Sequence, residues 1–166
     1  MVQSKIIASL ALVLLAVGLE GCRTPPNRLV YSSGFSFANY DFLVIGEPDG
    51  KVTSTTLYGM DIEFGNLMSR YNMKVVGNKE YETLPLDKQR RTLFVRLSIV
   101  ATGNDILMSV SFDDAVTGRT CSSITGRSSG DIFNIKERTR AFEILSRTIT
   151  KALVTEKHLT VAQERR

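Results

Sequence analysis

The chain has 166 residues, 43% of them hydrophobic and 23% charged, with a net charge of +4 and an isoelectric point near 9.2. That length holds one domain, and the composition is that of a folded protein, which excludes global disorder. The positive residues are scattered from Arg90 to Arg166 without interleaved aromatics, so nucleic acid is not an expected partner.

In chain order, the first element is a leader. Lys5 precedes an apolar run from Ile6 to Leu19, and small Gly21 closes the segment. A spanning helix needs ~20 apolar residues, so this shorter run is a secretory signal over residues 1–21. The motif Leu19-Glu20-Gly21-Cys22 resembles the lipobox of bacterial lipoprotein signal peptides. That resemblance implies a diacylglyceryl thioether on Cys22, cleavage between Gly21 and Cys22, and acylation of the freed amine with a palmitate-type chain. Glu20 departs from the small or apolar residue usual there. The plainer alternatives are an ordinary cleaved signal beside an incidental cysteine, or an uncleaved anchor. Each buried methylene contributes about 0.8 kcal/mol; one chain holds reversibly, two or three hold permanently. Arg23 stands where an Asp would resemble an inner-membrane retention signal, and no acidic run follows. The expected location is therefore the outer membrane, lipid-anchored, on its periplasmic face.

Residues 22–39 read as a linker, with Pro25 and Pro26 biasing it to extended form, although Leu29, Tyr31, Phe35 and Phe37 give it some capacity to pack on the domain. Tyr40 to Gly46 is a near-continuous apolar strand of the kind covered on both faces or paired in parallel, and Glu47-Pro48-Asp49-Gly50 is a turn signal. Leu57, Met60, Phe64, Leu67, Met68 and Tyr71 recur at helical spacing, predicting a helix from about Thr56 to Tyr71, with Gly59 and Gly65 as signs of close packing. Met73 to Val76 is a short strand; strand, helix, strand in this order implies a right-handed parallel unit. Residues 80–91 form a polar connection. Thr92–Ala101, Ile106–Asp113 and Arg119–Thr125 then alternate as a meander of three antiparallel strands. Asn134 and Glu137 match a capping box for a final helix whose stripe is Ile135, Phe142, Leu145, Ile149, Ala152 and Leu153. The expected fold is α+β: a mixed sheet of about four to five strands in the order β-α-β-β-β-α with two helices packed on it, over residues 40–154, followed by a charged tail at 155–166.

A search for chemistry returns little. No phosphate loop, nucleophile elbow or metal-ligand spacing occurs, and the one histidine, His158, lies in the tail. No catalytic residue, metal or cofactor is expected. Asp113 and Asp114 would face opposite sides of a strand and read as hairpin residues, with Asp113 accepting backbone hydrogen bonds. Asp61 and Glu63 read as a solvated helix face, as do Lys136, Arg138, Arg140, Arg147 and Lys151, which would otherwise meet an acidic partner or anionic lipid. Cys121 reads as a small half-buried core residue, or as one half of an intermolecular disulfide in an oxidising compartment.

The element order, the Asp114-x-x-Thr117-Gly118 hairpin and the lipobox together resemble small envelope lipoproteins with a domain like the N-terminal domain of TolB, also seen in curli-secretion and penicillin-binding-protein-activator lipoproteins. The resemblance covers about Tyr40 to Val154 and implies a non-enzymatic binding or assembly module, with an envelope protein or further copies of itself as partner. It carries no site residue. The alternative is a lipid-anchored hydrolase or ligand-binding enzyme with an unfamiliar site.

Overall fold

Alternation with a period of two sends Leu93, Val95, Leu97 and Ile99 to one side of a strand and Phe94, Arg96, Ser98 and Val100 to the other. The computed structural model, which describes residues 27–46 and 59–164, builds a six-stranded mixed sheet around that alternation. The strands are β1 (Asn27–Tyr31), β2 (Phe42–Ile45), β3 (Lys74–Val75), β4 (Thr92–Thr102), β5 (Asp105–Asp114) and β6 (Thr120–Ser129), in the spatial order β1-β6-β5-β4-β2-β3. The helices are α1 (Met60–Ser69), α2 (Asn78–Thr83), α3 (Leu86–Gln89) and α4 (Ile135–Glu164), with one 3-10 turn at Phe37–Asn39.

The α+β class and the mixed sheet agree with the sequence; the element count does not. The sheet has six strands, and four helices occur among the described residues, against the expected four to five and two. The extra strand is β1, which forms inside the stretch read as a linker and pairs antiparallel with β6, from Asn27 opposite Gly126 to Tyr31 opposite Ser122. The extra helices α2 and α3 bury no residue, so no apolar stripe announced them. The predicted β2-α1-β3 unit is present as parallel pairing of β2 with β3, and β2 also pairs in parallel with β4. The meander is present too, β4 with β5 and β5 with β6 running antiparallel.

Helices α1 and α4 lie on one face of this sheet. Phe64 and Met68 of α1 and Ala141, Phe142, Leu145, Ile149, Ala152 and Leu153 of α4 bury against Leu93, Val95, Ile106, Met108, Val110, Phe112 and Ile124. Gly65 lets α1 approach β2 and β3, since a Cβ there would sit 3.4 Å from Val75 and 3.6 Å from Ile45. Gly126 of β6 is tighter: a Cβ would stand 2.9 Å from the backbone nitrogen of Leu145, so α4 lies directly on the strand. Helix α1 ends at Ser69, short of the expected Tyr71, with Asn72 beyond it in the left-handed region at φ 58°. Gly59, read as a close-packed helix residue, is instead the N-cap of α1 at φ 81°, with open space where a Cβ would stand. Asn134 caps α4 as predicted, its Oδ1 accepting from Lys136 N at 3.0 Å. The other half of the box differs: Glu137 accepts from the backbone N–H of Asp131, further upstream. Ile135, assigned to the buried stripe, is 69% exposed because it lies in the first turn, beyond the edge of the sheet.

Helix α4 continues through Glu164, past the boundary where a charged tail was expected. Glu156 holds it to the N-terminal part of the domain, accepting from Phe37 N at 2.6 Å and Ser36 Oγ at 3.0 Å. Ring contacts continue this junction: Phe35 meets Phe37 at 4.8 Å, and Phe37 meets Phe112 of the core at 4.9 Å. Strand β1 is therefore part of the folded domain.

Candidate functional site

Cys22 and Gly21 lie outside the described residues, as do the Glu47–Gly50 turn signal and Leu57 of the α1 stripe. No helix among the described residues is long and apolar enough to cross a membrane. No group of three or more His, Cys, Asp or Glu among them is placed to hold a metal ion.

The two aspartates at the end of β5 both read as hairpin residues, and only Asp114 makes the turn; Asp113 holds an ion pair instead. Asp113 is 7% exposed; its Oδ2 takes Arg96 through Nε at 3.0 Å and Nη2 at 2.9 Å, and its Oδ1 accepts from Thr120 Oγ1 at 2.7 Å. Asp114, not Asp113, makes the hairpin turn: its Oδ1 accepts from Val116 N at 3.1 Å, Thr117 N at 2.7 Å and Thr117 Oγ1 at 2.9 Å. Alternation along β5 is unbroken there, with Asp113 opposite Phe94 and Asp114 opposite Leu93. The register shift lies in β6, where Ser122 pairs with Phe112 and Thr120 with Asp113, so Cys121 is the extra residue and Thr120 stands against Asp113. The two carboxylates do point apart, one to Arg96 and the other to Tyr40.

Tyr40, Asp114 and Cys121 meet beside that turn. Tyr40 Oη donates to Asp114 Oδ2 at 3.1 Å and lies 4.0 Å from Cys121 Sγ. Cys121 is a half-buried free cysteine whose thiol donates to Arg119 O at 3.5 Å. Burial pushes the Tyr40 phenol above its ordinary value, and the neighbouring Cys121 and Asp114 push it the same way. For Asp114, burial pushes upward, but the hydrogen bonds from Thr117, Tyr40 and Val116 outweigh it and hold the carboxyl below its ordinary range. A phenol fixed as protonated against a carboxylate fixed as ionised is a structural hydrogen bond; neither group is set to exchange a proton near neutrality.

The basic residues of α4 are largely solvated. Arg147 pairs with Glu143 one turn away at 3.5 Å, and Arg138 donates from Nη1 to Ile132 O at 2.8 Å. Asp61 and Glu63 are exposed, as expected. Between α1 and α4 runs a shallow groove of about 510 Å³ whose lining includes Phe142 and the charged residues Glu63, Glu143, Arg147 and Lys151.

The face of the sheet opposite α1 and α4 is the larger candidate surface, and sequence reasoning passed over it. Across β4, β5 and β6 it presents Ser98, Ser109 and Thr125 in one row and Arg96, Ser111 and Ser123 in the next. Ser109 and Thr125 hydrogen-bond across the strands at 3.1 Å. Val30 of β1 and Val100 of β4 flank these rows, 42% and 52% exposed. The alternation of Ser and Thr with the core residues was the available signal.

No protein-family model and no curated protein matches the chain. Among solved structures, a PelC dodecamer from Paraburkholderia phytofirmans is similar at 15% identity and a TM-score of 0.49, over 73% of this chain and 94% of that one. A neuraminyllactose-binding hemagglutinin homologue from Helicobacter pylori is similar at 15% identity and a TM-score of 0.43, over 81% of this chain and 97% of that one. Likenesses this distant say nothing about role.

Proposed function

We propose that this chain is a lipoprotein of the bacterial outer membrane, held on the periplasmic face through acylated Cys22, and that its α+β domain is a non-enzymatic binding or assembly module. The observation that carries the anchor is Leu19-Glu20-Gly21-Cys22 directly behind the apolar run Ile6–Leu19. The binding role is supported by the half-open Ser/Thr face described above. It is further supported by Tyr40 and Asp114, whose protonation states are held away from acid–base work near neutrality. The partner is an envelope protein or a second copy of the chain. The TolB-like reading of the domain belongs to the same proposal and rests on element order and the Asp114 hairpin alone.

Mass spectrometry of the protein purified from its own membranes tests the anchor: an N-terminal Cys22 carrying a diacylglyceryl group and an amide-linked acyl chain is expected, and a free, unacylated N-terminus overturns it. Crosslinking in intact cells tests the module. A discrete adduct lost on substituting the open-face residues is expected; a protein that migrates alone, uncrosslinked, under mild detergent overturns it.

A further inference from the structure

Phe133 and Ile135 are the two most exposed large apolar residues among those described, 83% and 69% exposed, and they stand together where β6 passes into α4. Their neighbour Ile132 is buried, so the segment turns one apolar side chain inward and two outward. The loop is well held. Gly130 N donates to Asn104 O at 2.7 Å, Phe133 N to Asp131 Oδ1 at 2.9 Å, and Glu137 ties back to Asp131 N. Two large hydrophobes displayed on a braced loop, not a frayed one, call for an occupant.

The chain's own path says which. It enters the fold at Asn27, opposite Gly126, three residues before the end of β6. At ~3.4 Å per residue, the loop bearing Phe133 begins only about 10 Å beyond that level. Cys22 precedes Asn27 by five residues, a reach of at most about 18 Å even fully extended. The opposite end of the sheet, where Val116 is 51% exposed in the β5–β6 turn, lies about six residues the other way along β5, or about 20 Å. An end-on approach by that end would require the tether to double back over the whole distance. Side chains in the first turn of a helix also slant toward its N-terminus, so Ile135 and Lys136 lean to the same end as Phe133. Lys136 and Arg140, one turn apart, are exposed and have no ion-pair partner among the described residues. The carboxylates nearby are engaged, Glu137 and Asp131 with backbone and Asp105 with Arg127.

We infer that this end of the domain docks on the phospholipid leaflet, with Phe133 and Ile135 entering the interface and Lys136 and Arg140 meeting the phosphates. The inference rests on acylation of Cys22. It adds an orientation: the domain stands on the end carrying the β4–β5 hairpin, with the Val116 turn directed away from the membrane. Aromatic and aliphatic side chains flanked by cations are the residues that partition to that boundary.

The chain contains no tryptophan, so single substitutions make clean optical reporters. The full lipoprotein is reconstituted into vesicles of phosphatidylethanolamine and phosphatidylglycerol with and without brominated acyl chains, after mass spectrometry of Cys22. Phe133→Trp should emit at shorter wavelength in vesicles than in detergent-free buffer after lipid removal, and lose most of its intensity to the brominated chains. Val116→Trp should show neither change. Acylated protein in which the residue-133 reporter stays in water, or in which both reporters are quenched alike, overturns the docking and leaves the anchor standing. An unacylated Cys22 overturns the anchor and the docking with it. A blue shift that follows protein concentration and ignores bromine means that a second copy covers the tip, which also overturns the inference.

Discussion

The two faces of the sheet are made by the same three strands and do opposite things. On one face Val95, Phe112, Val110 and Ile124 lie under α1 and α4 and are fully or almost fully buried. On the other, one residue along each strand, Ser98, Ser109, Ser111, Ser123 and Thr125 are half-buried and lie away from both helices. Period-two alternation thus divides the chain's work within each strand. The helix-covered face carries stability, because burying each large side chain is worth about 1.5–3 kcal/mol. The other face carries less of that duty, chiefly the Arg96–Asp113 pair, the Ser109–Thr125 hydrogen bond and the Tyr81–Phe94 contact, and its remaining Ser and Thr positions can change to suit a partner.

The largest expected effect comes from the covered face. Leu145→Asp would bury an unpaired carboxylate at the centre of the α4 contact, costing about 4 kcal/mol or more, and should leave no cooperative melt by circular dichroism. If native melting survives, the two faces are not the unequal surfaces described. Gly126→Ala comes next. Its Cβ would meet backbone of Leu145 at 2.9 Å, which no rotamer change relieves, so a loss of about 1–3 kcal/mol in chemical denaturation is expected.

A smaller effect belongs to the hairpin that joins the faces. Asp114→Ala removes the acceptor of the Thr117, Val116 and Tyr40 hydrogen bonds and should cost about 1–2 kcal/mol at neutral pH. Because the folded-state carboxyl titrates below its ordinary 3.8, its contribution is complete above that pH and lost as pH falls through the lower folded value. The gap between wild type and variant should therefore be constant from neutrality down to about pH 5 and close below 3.8. The smallest stability effect is Ser111→Arg on the open face, within about 0.5 kcal/mol of wild type, yet it should abolish the crosslinked partner species. Loss of stability without loss of partner would reverse the division of labour.

The meander was legible in the sequence because β4 and β5 each alternate in and out without a break over a long stretch, Leu93 to Val100 and Asp105 to Phe112. Helix α4 was legible from Asn134 and the spacing of Phe142, Leu145 and Ile149. What escaped has physical reasons. Strand β1 sits at an edge with Leu29, Val30 and Tyr31 all part-exposed, so it shows neither a buried run nor an in-out pattern. Helices α2 and α3 bury nothing and leave no period to read. The end of α4 looked like a polar tail because the hold on it at Glu156 is a carboxylate accepting from Ser36 and Phe37, 120 and 119 residues away, contacts that local pattern cannot contain. The ion pair of Asp113 with Arg96 was not legible because the two residues lie on neighbouring strands, 17 positions apart in the chain.

The pairing of β1 with β6 has a mechanical consequence. Five residue pairs join the two strands, and the ladder bonds of an antiparallel pair run perpendicular to the strand axis. A tug on the chain ahead of Asn27, drawn along the strand while the rest of the domain is pulled the other way, strains all of those bonds at once instead of peeling them one by one. Loading in parallel resists far more force than unzipping. The edge strand β1 is thus arranged as a lap joint, able to transmit tension between whatever holds the amino-terminal end and whatever grips the body of the protein.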